Sequence, residues 1–226
     1  MTTPLTIRKP QSEPKGGIIV VQEAFGVNSH IEDLCDRIAA AGYVAVAPHL
    51  FHRSGDPVFA YDQFPEIIKH IEAMSMDGVY EDIDASISYL NAAGIKNSSI
   101  GIVGFCMGGT VTLHACATRE IGAGVGFYGG GIKGRWFFPS QLEVAPLLKA
   151  PWLGLYGDHD ASIPVDDVEE LRAALQGASV PTEIVRYAEA DHGFNCDQRV
   201  SYHAESANDA WSRMHKWFDD HLERCR

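Results

Sequence analysis

Ser99-Ile100-Gly101-Ile102-Val103-Gly104-Phe105-Cys106-Met107-Gly108-Gly109 is the stretch that decides the fold. Its first half is a short apolar, β-branched run, the composition of a strand buried on both faces. Its continuation, Thr110-Val111-Thr112-Leu113-His114-Ala115, contains neither glycine nor proline and reads as a helix. Between the two, a thiol stands in a turn framed by Gly104 and Gly108. A side chain raised on such a strand-to-helix turn sits in strained backbone geometry, and strand and helix can close on each other only where their neighbouring residues are small. A free cysteine taken alone reads as a small buried hydrophobe. The glycine frame gives Cys106 a second reading, that of a nucleophile. Unpaired N–H groups and the dipole at a helix N-terminus favour thiolate over thiol, and the same N–H groups can hold a developing oxyanion. Such a thiol also needs a nearby base, usually a histidine held by a carboxylate.

Two later segments supply those groups in the order nucleophile, acid, histidine. An apolar run from Trp152 to Tyr156 ends in Gly157-Asp158-His159-Asp160, and Thr182-Glu183-Ile184-Val185-Arg186-Tyr187 is followed by Asp191-His192-Gly193-Phe194. Both groups fall at carboxyl ends of strands, where open α/β sheets gather their chemistry. Further strands are expected at 17–22, 43–48 and 123–128. Helices are expected at 30–41, around 64–74 and 79–93, and at 165–175 and 203–222. Alternating short apolar strands and helices predict an α/β fold, a mostly parallel central sheet with helices on both faces.

The chain resembles the dienelactone hydrolase family of α/β-hydrolases from about Gly16 to its last helix. The resemblance rests on Gln22-Glu23-Ala24-Phe25-Gly26-Val27-Asn28, on the Gly104 to Gly109 turn, on Gly157-Asp158-His159-Asp160 with Pro164, and on Asp191-His192-Gly193-Phe194. It implies an α/β-hydrolase fold and a cysteine-dependent hydrolase of small activated esters, dienelactone-like lactones foremost, acting through a thioester. A broader carboxylesterase or thioesterase is the alternative, and a non-catalytic binding module comes last. Of the two acids, the family's spacing of four residues before a proline selects Asp160 over Asp158 to orient His192. The resemblance further gives Glu23 the part of proton acceptor for the Cys106 thiol, and the backbone N–H groups of Ala24 and Met107 that of an oxyanion hole. It matches Arg53 to an arginine that binds a substrate carboxylate. The family's second such arginine lies four residues after the histidine, where this chain has Cys196, and Arg199 is the substitute within reach. Phe25, Tyr128 and Trp136 are expected at the substrate pocket, with Phe137 and Phe138 beside Trp136.

The 226 residues, 46% of them hydrophobic, suffice for one substantial core, so one domain covering 1–226 is expected, with a polar leader at 1–15 and no separate lid domain. A net charge of −12 argues against nucleic acid and anionic membrane surfaces as partners. Five cysteines dispersed at positions 35, 106, 116, 196 and 225 form neither a disulfide framework nor a zinc pattern. Free thiols and the lack of an apolar leader point to the cytoplasm. No metal or organic cofactor is expected. The partner is a small ester or lactone, carboxylated or not, and the chain a monomer or small homo-oligomer. Tyr128-Gly129-Gly130-Gly131 lacks the Lys-Ser/Thr ending of a phosphate loop, which argues against nucleotide binding.

Overall fold

In the computed structural model, which describes residues 2–225, seven strands form one sheet in the order β1-β3-β2-β4-β5-β6-β7. These are β1 (Leu5–Arg8), β2 (Gly17–Val21), β3 (Val44–Pro48), β4 (Ile100–Phe105), β5 (Ala123–Phe127), β6 (Trp152–Gly157) and β7 (Thr182–Tyr187). Every neighbouring pair from β3 to β7 is parallel; β1 runs antiparallel to β3 at the edge. The edge strand lies inside the stretch expected to be a polar leader. Four half-buried residues between Pro4 and Pro10 are too few to show a period of two, so only pairing with β3 makes them a strand.

The helices are α1 (Ser29–Ala40), α2 (Phe64–Glu72), α3 (Met76–Ala92), α4 (Met107–Thr118), the single turn α5 (Gln141–Val144), α6 (Val165–Leu175) and α7 (Ala204–His221). Two start earlier than the apolar pattern suggests. Ser75 caps α3 by accepting a hydrogen bond from the Gly78 N–H at 3.2 Å, and α4 begins at Met107, directly after the thiol. All residues of β2, β3, β4, β5 and β6 are buried, which is why these strands read as continuous apolar runs.

Neighbouring positions show which helices cover which face. A Cβ at Gly17 would meet Leu90 of α3 at 2.6 Å, whereas one at Gly101, paired with the adjacent Ile18, would meet Phe218 of α7 at 2.8 Å. Successive strand residues point to opposite faces, so α3 and α7 lie on opposite sides of the sheet. The glycines of the turn are set by contact. A Cβ on Gly104 would stand 2.1 Å from the Gly108 carbonyl oxygen, and one on Gly108 2.4 Å from the Val21 carbonyl oxygen. Helix α4 is thus pressed directly onto the ends of β2 and β4, and this fixes where its N-terminus points.

Candidate active site

The carboxyl ends of β2, β4, β6 and β7 deliver Glu23 and Ala24, Cys106, Asp160 and His192 to one end of the sheet. Cys106 occupies φ 54° and ψ −116°, a conformation L-residues avoid, and is held there by its N–H donating to the Phe127 carbonyl at 3.0 Å. Tyr128, one strand over, also has a positive φ of 40°. Met107 opens α4, so its N–H is among the first-turn donors that have no partner within the helix.

Asp160, nearly fully buried, accepts a hydrogen bond from His192 Nδ1–H at 2.5 Å. Its other oxygen accepts from the Ser162 N–H at 2.8 Å and the Ser162 hydroxyl at 2.6 Å. Burial pushes the Asp160 carboxyl up, but the His192 bond and charge and the two Ser162 bonds outweigh it, so the pKa lies below its ordinary value. Asp158 points elsewhere, gripped by Arg186 through two bonds of 2.7 and 2.8 Å. The His192 imidazole is pushed up to about 10. Burial opposes its charge; Cys106, acting by charge and as a hydrogen-bond partner, together with Asp160, more than offsets that.

Cys106 and His192 share a cavity of about 300 Å³ with Ala24, Met107, Thr110, Gly130, Gly131, Arg135, Trp136, Phe138 and Ser162. Its walls are mostly apolar, and among the described residues Arg135 is the one cation lining it beside the histidine. A larger cleft near Lys96 and Arg224 lies by the start of β4 and gathers none of these groups.

Glu23 is wholly buried, and neither carboxylate oxygen has a partner at hydrogen-bond distance. Burial raises its pKa, and Arg199, His192 and the facing Tyr128 hydroxyl only partly counter this. Arg199 Nη1 stands 3.6 Å from Glu23 Oε1, with its guanidinium 5.2 Å from the centre of the Tyr61 ring and 5.8 Å from that of Phe25. Gly193 leaves room for it: a Cβ there would meet Arg199 Nη1 at 2.4 Å.

Several expectations need correction. Arg53 does not reach this cavity. Its guanidinium is taken by Asp82 at 2.7 Å and Glu81 at 2.8 Å on α3, beside a separate small cavity that includes His70. Arg199 buttresses Glu23 instead of lining the substrate space, and Phe25 and Tyr128 pack behind the wall. Tyr128 lies against the His192 ring at 5.1 Å between centroids. Of the five residues expected to bind substrate, Trp136 alone lines the cavity. Cys196 is buried, and its sulfur lies 3.2 Å from the Tyr61 hydroxyl. All five cysteines are free. The reading of the sequence missed Arg135, Ser162 and Tyr61. Ser162 could have been found two residues past Asp160, as an Asx-turn partner; nothing local marked the other two.

Among the described residues no helix is long and apolar enough to cross a membrane. Residues 4–222 match the dienelactone hydrolase family. A protein of Yersinia pestis named "Putative carboxymethylenebutenolidase" is 41% identical over 224 residues, 96% of this chain and 84% of that one. The carboxymethylenebutenolidase of Pseudomonas putida is 29% identical over 206 residues, 89% and 84% of the two chains. A crystal structure from Klebsiella pneumoniae, described as that of a "Putative Dienelactone Hydrolase", superposes with a TM-score of 0.89 at 41% identity, covering 97% of this chain and 93% of the other. With the parallel sheet, the turn after β4 and a match along almost the entire length in agreement, this chain belongs to the dienelactone hydrolase family of α/β-hydrolases and is a hydrolase of ester or lactone bonds.

Proposed function

We propose that the protein hydrolyses small activated esters, enol lactones foremost, with Cys106 as nucleophile and a thioester as intermediate. The observation that carries this is the placement of Cys106 at φ 54° in one cavity with His192, whose Nδ1 is bonded to Asp160. Glu23, a stronger base than an ordinary carboxylate because it is buried, accepts the thiol proton. The sulfur attacks the carbonyl carbon, and the N–H groups of Ala24 and Met107 face the oxyanion. The C–O bond breaks, and the leaving enolate recovers the proton from Glu23. His192 then takes a proton from water, hydroxide adds to the thioester carbonyl, and the C–S bond breaks. The departing sulfur is reprotonated by the imidazolium.

His192 fits that second half for an electrostatic reason. Cys106 is the strongest of the influences that raise its pKa, and an acylated sulfur carries no charge. With the sulfur acylated that influence is gone, so the imidazole meets the attacking water as a neutral base. Asp160 acts as a positioning residue through the ring.

A broader esterase or thioesterase remains the second reading. One observation favours it: Arg53 is held by Asp82 and Glu81, and the second arginine position is filled by the buried Cys196. The test is turnover of an enol lactone and of 4-nitrophenyl acetate, with mass spectrometry of quenched enzyme. An acyl adduct on Cys106, absent together with activity in Cys106→Ala, is expected. Full turnover by Cys106→Ala would overturn the mechanism.

A further inference from the structure

The loop after β5 presents to the cavity a cation that has no acidic side chain within 4.0 Å among the described residues. Among the described residues, nine arginines stand within 4.0 Å of an acidic side chain: Arg8, Arg37, Arg53 and Arg119, then Arg172, Arg186, Arg199, Arg213 and Arg224. Arg135 is the exception. In a chain of net charge −12, an arginine left without a carboxylate is a departure. Nearby Lys133 is held by Asp167 and Glu170, both at 2.9 Å, so the loop does not lack acidic neighbours in general.

A tight turn brings the exposed Arg135 side chain against the Trp136 ring at the rim of the cavity. The Arg135 N–H donates to the Phe138 carbonyl at 3.2 Å and the Phe138 N–H to the Arg135 carbonyl at 2.9 Å, closing a tight turn over Trp136 and Phe137. Trp136 sits at φ 53° in that turn, where glycine is favoured, and its ring carries the Arg135 guanidinium 4.2 Å above its centre. A bulky residue kept in a strained conformation at the mouth of a cavity asks for a functional cause. The loop is anchored below by the Gly130 carbonyl, which accepts from the Thr110 hydroxyl and from Gln141 Nε2, both at 2.8 Å.

We infer that Arg135, stacked on Trp136, is the specificity-determining residue of the cavity and selects substrates bearing a carboxylate at the end of a short apolar acyl chain. The inference rests on the reading of this cavity as the place of ester hydrolysis. The apolar walls take the chain, the guanidinium takes the terminal carboxylate through paired N–H donors, and the Trp136 face holds the guanidinium plane for that contact. Recognition thus comes from the β5 side of the cavity, not from Arg53.

The test compares 4-nitrophenyl hydrogen adipate and suberate with 4-nitrophenyl hexanoate and octanoate in wild type, Arg135→Gln, Arg135→Lys and Trp136→Gly. The ratio of kcat/KM for acidic over neutral ester should fall about tenfold in Arg135→Gln, mainly through KM. It should be partly kept in Arg135→Lys, reduced in Trp136→Gly, and weakened by salt in wild type. A ratio unchanged by Arg135→Gln would overturn the inference. Calorimetric binding of hexanoate against hexanamide reads the same subsite without turnover. Hexanoate binding that depends on Arg135 in a protein that cleaves no ester would sink the hydrolytic reading and leave this one standing; hexanoate bound equally by wild type and Arg135→Gln would sink this one.

Discussion

Arg199 Nη1 lies 3.6 Å from Glu23 Oε1 and is the one cationic side chain paired with that fully buried carboxylate among the described residues. A buried charge stripped of its partner is costly, whereas a neutral amide of the same shape is much less so. Arg199→Met should therefore destabilise the protein by about 2–4 kcal/mol in urea unfolding. Adding Glu23→Gln to that variant should recover most of the loss, and additive losses in the double variant would disprove the coupling. Glu23→Gln alone should slow both turnover and iodoacetamide labelling of Cys106 at neutral pH; unchanged labelling would remove Glu23 as proton acceptor.

The state of His192 should follow its two partners. Cys106 and Asp160 hold its pKa up at about 10 against burial, so Cys106→Ala and Asp160→Asn should each lower it, and the double variant should titrate lower than either, with only the Glu23 carboxylate left to oppose burial. NMR titration of the imidazole protons reads this directly. A Cys106→Ala protein with His192 still near 10 would show that the sulfur does not govern the base.

The fold was legible because β2 to β6 are buried on both faces and so read as apolar runs from Gly17 to Gly157. The exceptions were local: β1 needed its partner to be seen, and α3 begins early because of the Ser75 cap. Within the site, Cys106 and His192 were marked by glycines that the packing explains. Gly108 lets α4 touch β2, and Gly193 gives Arg199 room. Arg53 misled because nothing about an arginine in sequence shows whether a carboxylate has already claimed it. Asp82, 29 positions away, is brought to Arg53 only by the packing of α3. Arg135 was missed for the converse reason, since its lack of a partner exists only in three dimensions.

The glycines of the turn should differ sharply from those in open loops. Gly104→Ala and Gly108→Ala drive a methyl group to 2.1 and 2.4 Å from the backbone carbonyl oxygens of Gly108 in α4 and Val21 in β2, which cannot move without disturbing the helix or the sheet. Each should cost more than ~4 kcal/mol or abolish soluble expression. Gly94→Ala meets no atom within 4 Å and bears only the strain of φ +85°, about 1–2 kcal/mol. Similar urea midpoints for Gly94→Ala and Gly108→Ala would refute the claim that contact, not conformation, selects glycine in the turn.

Acid should weaken the fold through two buried histidines that take no part in the chemistry. His30, against Phe105, and His114, against Phe138, are almost fully buried, and burial lowers each to about 4. In the unfolded chain both titrate near the ordinary 6.5, so above that value neither state holds the extra proton and stability does not depend on them. As the pH falls from 6.5 towards 4, the unfolded chain takes up protons that the folded one refuses, and stability drops by on the order of 2–3 kcal/mol per histidine. Below about 4 the folded state protonates as well and this contribution levels off. Replacing His114 with Gln, which cannot ionise, should lower stability at pH 7 by disturbing the packing under Phe138 yet flatten the decline between pH 6.5 and 4. An equally steep decline in His30→Gln, His114→Gln and the double variant would place the acid sensitivity elsewhere, in carboxylates such as Asp160 whose pKa is lowered on folding and which lose their contribution as the pH falls through it.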